Sequence, residues 1–104
     1  QFLFETRPIS LDEKAASLLD RDALILLGKA LEALKSQPVW DMAPLEEGVK
    51  AVAEEAGLGL GKIAQPLRAA LTGRGTSPGI FDVLVLLGRE ESLARIEDSL
   101  ARGA

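Results

Sequence analysis

Three cations, Lys62, Arg68 and Arg74, stand in a stretch from residue 56 to residue 81 that contains no acid. The flanks are the opposite: residues 1–55 hold 11 acids against 6 bases, and residues 82–104 hold 5 against 3. A guanidinium is a planar fork of five donors that matches a phosphate or the acceptor edge of a base, whereas a lysine ammonium acts as a point charge. Arg68 is therefore the first candidate for reading a nucleic-acid base. Gln65, one helical turn before it, can assist with its amide. Lys62 and Arg74 suit the placing of phosphates better than the reading of bases. The bland reading of Arg68 is a surface arginine, or the ion-pair partner of one of the many carboxylates.

Shortly after comes Ser77-Pro78-Gly79-Ile80-Phe81. Ser77 and Pro78 have the form of an N-cap and a first helical residue. The free amides of a helix start attract a phosphate or a base acceptor, Gly79 lets a polynucleotide approach the backbone, and Ile80 or Phe81 can pack against a base. The competing reading makes Ser77 only a cap and Phe81 only core. Trp40, between Val39 and an apolar helix, reads as a packing residue. Arg89 and Arg95 share the last helical pair with Glu90, Glu91 and Glu97, and read as formers of surface ion pairs.

Much other chemistry is excluded. The chain has no cysteine and no histidine, so no disulfide, thiolate zinc site, imidazole base or Ser-His-Asp triad can be assembled from it. Gly57 to Gly61 reads Gly-Leu-Gly-Leu-Gly, but Gly61-Lys62 is followed by Ile63 where a Walker loop needs a hydroxyl. Glu46, Glu47, Glu54 and Glu55 fall on the wet side of a helix and read as solvated charge. The net charge of −4 argues at face value against a nucleic-acid partner, and the basic central stretch is what softens that objection.

The elements that must hold these groups are all helical. Apolar residues make up 47% of the chain, with many Leu and Ala and no Tyr, a mix that loses little rotamer freedom in helices. Ser10 and Glu13 have capping-box spacing and predict a first helix from Leu11 to about Leu19. Asp20 or Asp22 caps a second, about Arg21 to Lys35, whose Leu24, Leu27, Leu31 and Leu34 form one stripe. Pro44 suits the first turn of a third, with Leu45, Val49, Val52 and Ala56 inward until Gly57. A fourth runs to about Leu71 through Ile63 and Leu67, with Pro66 in its first turn or kinking it. Thr72 to Thr76 is a loop. The fifth starts at Ser77-Pro78, is strongly apolar, and is expected to be buried on most sides. The sixth spans Glu90 to Ala101. At 104 residues such a chain buries roughly two-thirds of its unfolded surface. The seam between two subdomains, 1–38 and 39–104, falls at Pro38 to Pro44.

Residues 62–81 and the following Leu87-Gly88-Arg89-Glu90, with Leu93 and Arg95, resemble the C-terminal end of bacterial glutamyl-tRNA synthetases. That region carries a Gly-Lys-x-x-x-Pro-Leu-Arg helix, a Thr-Gly turn, a Ser/Thr-Pro-Gly-Ile/Leu-Phe helix start and a closing Leu-Gly-(Arg/Lys)-Glu segment. Gly61-Lys62, Pro66-Leu67-Arg68, Thr72-Gly73 and Ser77 to Phe81 follow in that order. The likeness is strongest from about Trp40 onward. Phe2 and Phe4 resemble the start of the family's preceding helical unit. The HIGH-type and KMSKS-type ATP-site motifs of the family are missing.

The resemblance implies an all-α helical cage of about six helices in two subdomains that binds the anticodon loop of tRNA(Glu). It implies RNA contact by Lys62, Gln65, Arg68, Arg74, Ser77, Pro78, Gly79, Ile80 and Phe81. No cofactor is expected here; ATP and Mg2+ belong to a catalytic domain N-terminal to this part of the same chain. The abrupt apolar start without Met fits a part of a longer protein. A cytoplasmic monomer is expected, since the apolar runs Ala23 to Leu27 and Val83 to Leu87 are far too short to cross a membrane. The first rival is a helical protein-interaction module with its groove at the fifth helix. The second is a carboxylate enzyme, which needs a concave cluster of inward-facing acids.

Overall fold

The computed structural model describes residues 7–75 and 77–103. Six helices follow one another: α1 (Glu13–Ser17), α2 (Arg21–Lys35), α3 (Met42–Glu55), α4 (Leu60–Thr72), α5 (Ile80–Leu87) and α6 (Arg89–Gly103). No strand occurs among the described residues, and Phe2 and Phe4 lie outside them.

Helix α2 occupies the predicted span. Asp20 caps it, its carboxylate accepting from the Ala23 amide at 2.9 Å, which satisfies one of the donors a helix start leaves open. Helix α1 is shorter than predicted, and its cap is Asp12 rather than Ser10: Asp12 Oδ1 accepts from the Ala15 amide at 2.7 Å. Ser10 lies two residues before that cap, outside the helix, with its carbonyl accepting from Arg74 Nη1 at 3.3 Å. In α3 the buried side chains are Leu45, Val49 and Ala53. Ala56, expected inside, is exposed.

Helix α4 is the central post, packed against all five other helices. Its Ile63, Leu67, Ala69, Ala70 and Leu71 are wholly buried, the small alanines allowing neighbours to come close. Pro66 lies in its interior rather than its first turn and is buried. Pro66 has no amide hydrogen, so the carbonyl one turn back, at Lys62, lacks the usual helical donor. One core takes Leu27, Leu31 and Leu34 from α2, Leu45 and Val49 from α3, Ile63, Leu67 and Leu71 from α4, Ile80, Val83 and Leu84 from α5, and Ile96 from α6. It therefore draws on both sides of the 38/39 boundary. Each fully buried leucine contributes about 2 kcal/mol.

Arg95 corrects an expectation. It is 1% exposed, donating from Nη1 to the Leu71 carbonyl at 2.7 Å and from Nε to Glu91 at 2.8 Å. The carbonyls at the end of α4 have no helical partners, and Arg95 reaches them from inside the core; it is not a surface charge. Arg89, unlike Arg95, forms no carboxylate pair among the described residues. It donates to the Gln37 carbonyl at 2.6 Å and lies over the Trp40 ring, 5.0 Å from its centroid. Trp40 packs against the core and donates its indole N–H to the Leu84 carbonyl at 2.8 Å.

Candidate nucleic-acid interface

Arg68 projects from the second half of α4 and is half-buried. Its Nε donates to Ser77 Oγ at 3.0 Å, and its Nη1 donates to Gln65 Oε1 at 3.3 Å. Ser77 in turn donates to the Pro78 carbonyl at 2.8 Å. Three predicted residues, from α4 and from the segment before α5, thus meet in one group. No carboxylate pairs with Arg68 among the described residues. With Nε and one Nη1 hydrogen engaged, the outer part of the fork, Nη2 included, keeps donors to offer a ligand. An arginine whose inner edge is fixed by neutral acceptors keeps its full charge and loses less entropy on binding.

The start of α5 differs from the expectation. Gly79, not Ser77, is the N-cap, and no side chain caps the helix. The reason is tertiary: the Ser77 hydroxyl is committed to Arg68 and Pro78. Pro78 and Gly79 are exposed. Asp82 sits in the first turn, its carboxylate only 3.2 Å from where a Cβ on Gly79 would lie. That negative charge makes this helix start a poorer seat for a phosphate than a bare one. Ile80 is 4% exposed and part of the core, and Phe81 packs partly against it. The surface this segment offers is therefore backbone and the Pro78 ring, with only the edge of Phe81.

Lys62 is exposed, and its ammonium has no hydrogen-bond or ion-pair partner among the described residues. With Gln65 and Pro66 it lines one wall of a cleft of about 480 Å³, whose other wall includes Leu18, Asp22 and Leu26. Arg74 lies in the turn beyond α4. Its Nη1 donates to the carbonyls of Gly73 at 3.1 Å and Ser10 at 3.3 Å.

Two residues to which sequence reasoning gave no site role hold the turn between these parts. Thr72 is fully buried; its hydroxyl donates to the Arg68 carbonyl at 2.8 Å and accepts from the Arg74 amide at 3.1 Å. Asp12 reaches the same turn: its amide donates to the Gly73 carbonyl at 2.7 Å, and its Oδ2 accepts from the Gly75 amide at 3.4 Å. The only advance signal for Asp12 was its position three residues before Ala15, which suits a cap as well as the position of Ser10 does.

A profile of the family described as the anticodon binding domain matches residues 1–100. The chain belongs to this anticodon binding domain family. Among similar proteins, glutamate–tRNA ligase 2 of Rhizorhabdus wittichii is 66% identical over 99 residues, covering 95% of this chain and 21% of the relative. Glutamate–tRNA ligase 2 of Novosphingobium aromaticivorans is 60% identical over 100 residues, covering 96% and 20%. The crystal structure of a glutamate tRNA ligase from Elizabethkingia meningosepticum, in complex with its amino acid, superposes with a TM-score of 0.88 at 31% identity, over 99% of this chain and 20% of that one. The chain thus spans about a fifth of the length of the relatives it matches. The all-α architecture implied by the sequence is that of the anticodon binding domain in these synthetases.

Among the described residues no group of three or more His, Cys, Asp or Glu is placed to hold a metal ion. No helix among them is long and apolar enough to cross a membrane.

Proposed function

We propose that this anticodon binding domain reads the anticodon loop of tRNA(Glu) for a glutamate–tRNA ligase of which it is a part. The observation that carries the proposal is the Arg68 fork, fixed on its inner edge by Ser77 and Gln65 and unopposed by any carboxylate among the described residues. Unpaired loop bases are read on their edges and stacked on planar groups, and a guanidinium serves both purposes. The exposed Pro78-Gly79 backbone lies next to it and allows close approach, while Lys62 supplies phosphate attraction from one side. Arg74 contributes by holding the turn and by its charge.

Selection then works by differential binding. A matching base satisfies the outer N–H groups of Arg68, while a wrong base leaves a desolvated donor unpaired at a cost of about 1–3 kcal/mol. In the whole ligase, catalytic regions outside this domain would use ATP and Mg2+ to attach glutamate to the tRNA so selected, in the cytoplasm. Of the apolar residues of α5, Ile80, Val83 and Leu84 belong to this domain's own core, while Val85 and Leu86 stay exposed, so the helix is less buried than its composition suggests; the anticodon binding family favours the RNA reading over protein docking.

The test is titration of the chain with the tRNA(Glu) anticodon stem-loop and with single-base variants of it, at low and moderate salt. Binding that weakens steeply with salt and discriminates among the variants is expected. Binding that ignores both salt and sequence would overturn the proposal.

A further inference from the structure

We infer that Asp12 is a positioning residue of the RNA interface, a role that rests on the reading above. It ties α1 to the turn after α4 through both backbone and side chain. Its amide donates to the Gly73 carbonyl at 2.7 Å. One carboxylate oxygen accepts from the Ala15 amide at 2.7 Å, and the other from the Gly75 amide at 3.4 Å. The same contact is closed by packing. A Cβ on Gly75 would come within 2.4 Å of Lys14 Cδ and 2.8 Å of Lys14 Cβ, so α1 lies directly on the turn. A Cβ on Gly73 would meet the Ser10 carbonyl oxygen at 2.1 Å.

The turn so held is the one that sets the interface. Thr72, at its start, bonds the Arg68 carbonyl, and Ser77, two residues beyond Gly75, receives the Arg68 Nε–H. The relative placement of α4 and Ser77 fixes the direction of the Arg68 fork. Anchoring Gly75 to Asp12 therefore restricts where Ser77 can stand. A carboxylate is needed for this because two donors, Ala15 and Gly75, approach different oxygens of one side chain. Ser10, which sequence spacing favoured as the cap, offers a single oxygen where Asp12 offers two.

Asp12→Asn separates this role from simple helix capping. Asparagine caps as well as aspartate and keeps one carbonyl oxygen for Ala15, but it presents an NH2 group to the Gly75 amide. Thermal unfolding, amide exchange and stem-loop binding are measured on wild type and variant. Expected are an unfolding midpoint lowered by only a few degrees, faster exchange at Gly75, and about three- to tenfold weaker binding of the matching stem-loop with reduced discrimination among variants. The variant Asp12→Ala, which loses the cap too, lowers the midpoint further. Unaltered exchange at Gly75 and unaltered discrimination in Asp12→Asn overturn the inference. A wild-type chain that ignores the stem-loop defeats the functional reading alone; the positioning role is then decided by exchange at Gly75 and by the Arg68 Nε–H signal, which shifts in Asp12→Asn if the role is real.

Discussion

Replacing Gly73 by alanine offers a quantitative check on how the interface turn is built. Gly73 ends α4 with φ of +71°, a conformation that costs a residue with a Cβ about 1–2 kcal/mol. The new methyl would also lie 2.1 Å from the Ser10 carbonyl oxygen, where ordinary contact begins at 3.4 Å. The obstacle is backbone, so no side-chain rotation relieves it; the extended segment around Ser10 must retreat by more than an ångström. That movement strains the Asp12 amide bond to Gly73 and the Arg74 bond to Ser10, each worth about 1 kcal/mol. Gly73→Ala should therefore destabilise by about 3 kcal/mol, which in a chain of this size lowers the midpoint by roughly 10–20 °C. Gly28 is the control. It lies within α2 with open space around its Cβ position, so Gly28→Ala should stabilise by about 0.5–1 kcal/mol through helix propensity alone. Calorimetry or urea unfolding of the two variants decides the matter. A Gly73→Ala protein as stable as wild type would refute both the tight approach of Ser10 and the role assigned to the turn.

Other outcomes follow from the same contacts. Arg95→Met should destabilise by about 3 kcal/mol, because it leaves the Leu71 carbonyl without its donor and Glu91 without its nearest cation; urea denaturation measures this. Ser77→Ala should change stability by less than about 1 kcal/mol, since the lost bond is only part-buried. It should nonetheless weaken stem-loop binding several-fold in fluorescence titration, because the Arg68 fork loses its inner anchor. Lys62→Ala should weaken binding equally for matching and mismatched stem-loops and flatten the salt dependence, as expected of a contact that attracts phosphate without reading sequence.

Much of the fold was legible because local signals and burial agreed. Asp20, the leucine stripe and Lys35 bound α2 at both ends, and Gly57, Gly73 and Gly88 mark breaks where φ is positive. The misreadings have tertiary causes. Ser10 and Asp12 both offer caps by spacing, and the choice was made by docking of the extended segment onto Gly73. Ser77-Pro78 has the sequence of a helix start, but the Ser77 hydroxyl bonds Arg68 and the Pro78 carbonyl instead, and α5 begins two residues later than a Pro78 start would put it. Arg95 looked like one more charge on a polar helix; that it faces the end of α4 depends on how α6 crosses α4, which periodicity does not encode. For the site, residue type and the acid-free stretch singled out Arg68 and Gln65, and the geometry brings them to Ser77. Ile80 is different: an apolar residue at a helix start reads equally as base contact or as core, and packing made it core.

The most direct measurement is the affinity of wild type, Arg68→Ala and Arg68→Lys for the tRNA(Glu) anticodon stem-loop and its single-base variants at fixed salt. Arg68→Ala should bind the matching loop at least about tenfold more weakly and lose discrimination, whereas Arg68→Lys should recover part of the affinity but little of the discrimination, since an ammonium keeps the charge and loses the planar fork. Equal affinity and equal discrimination in all three proteins would contradict the account.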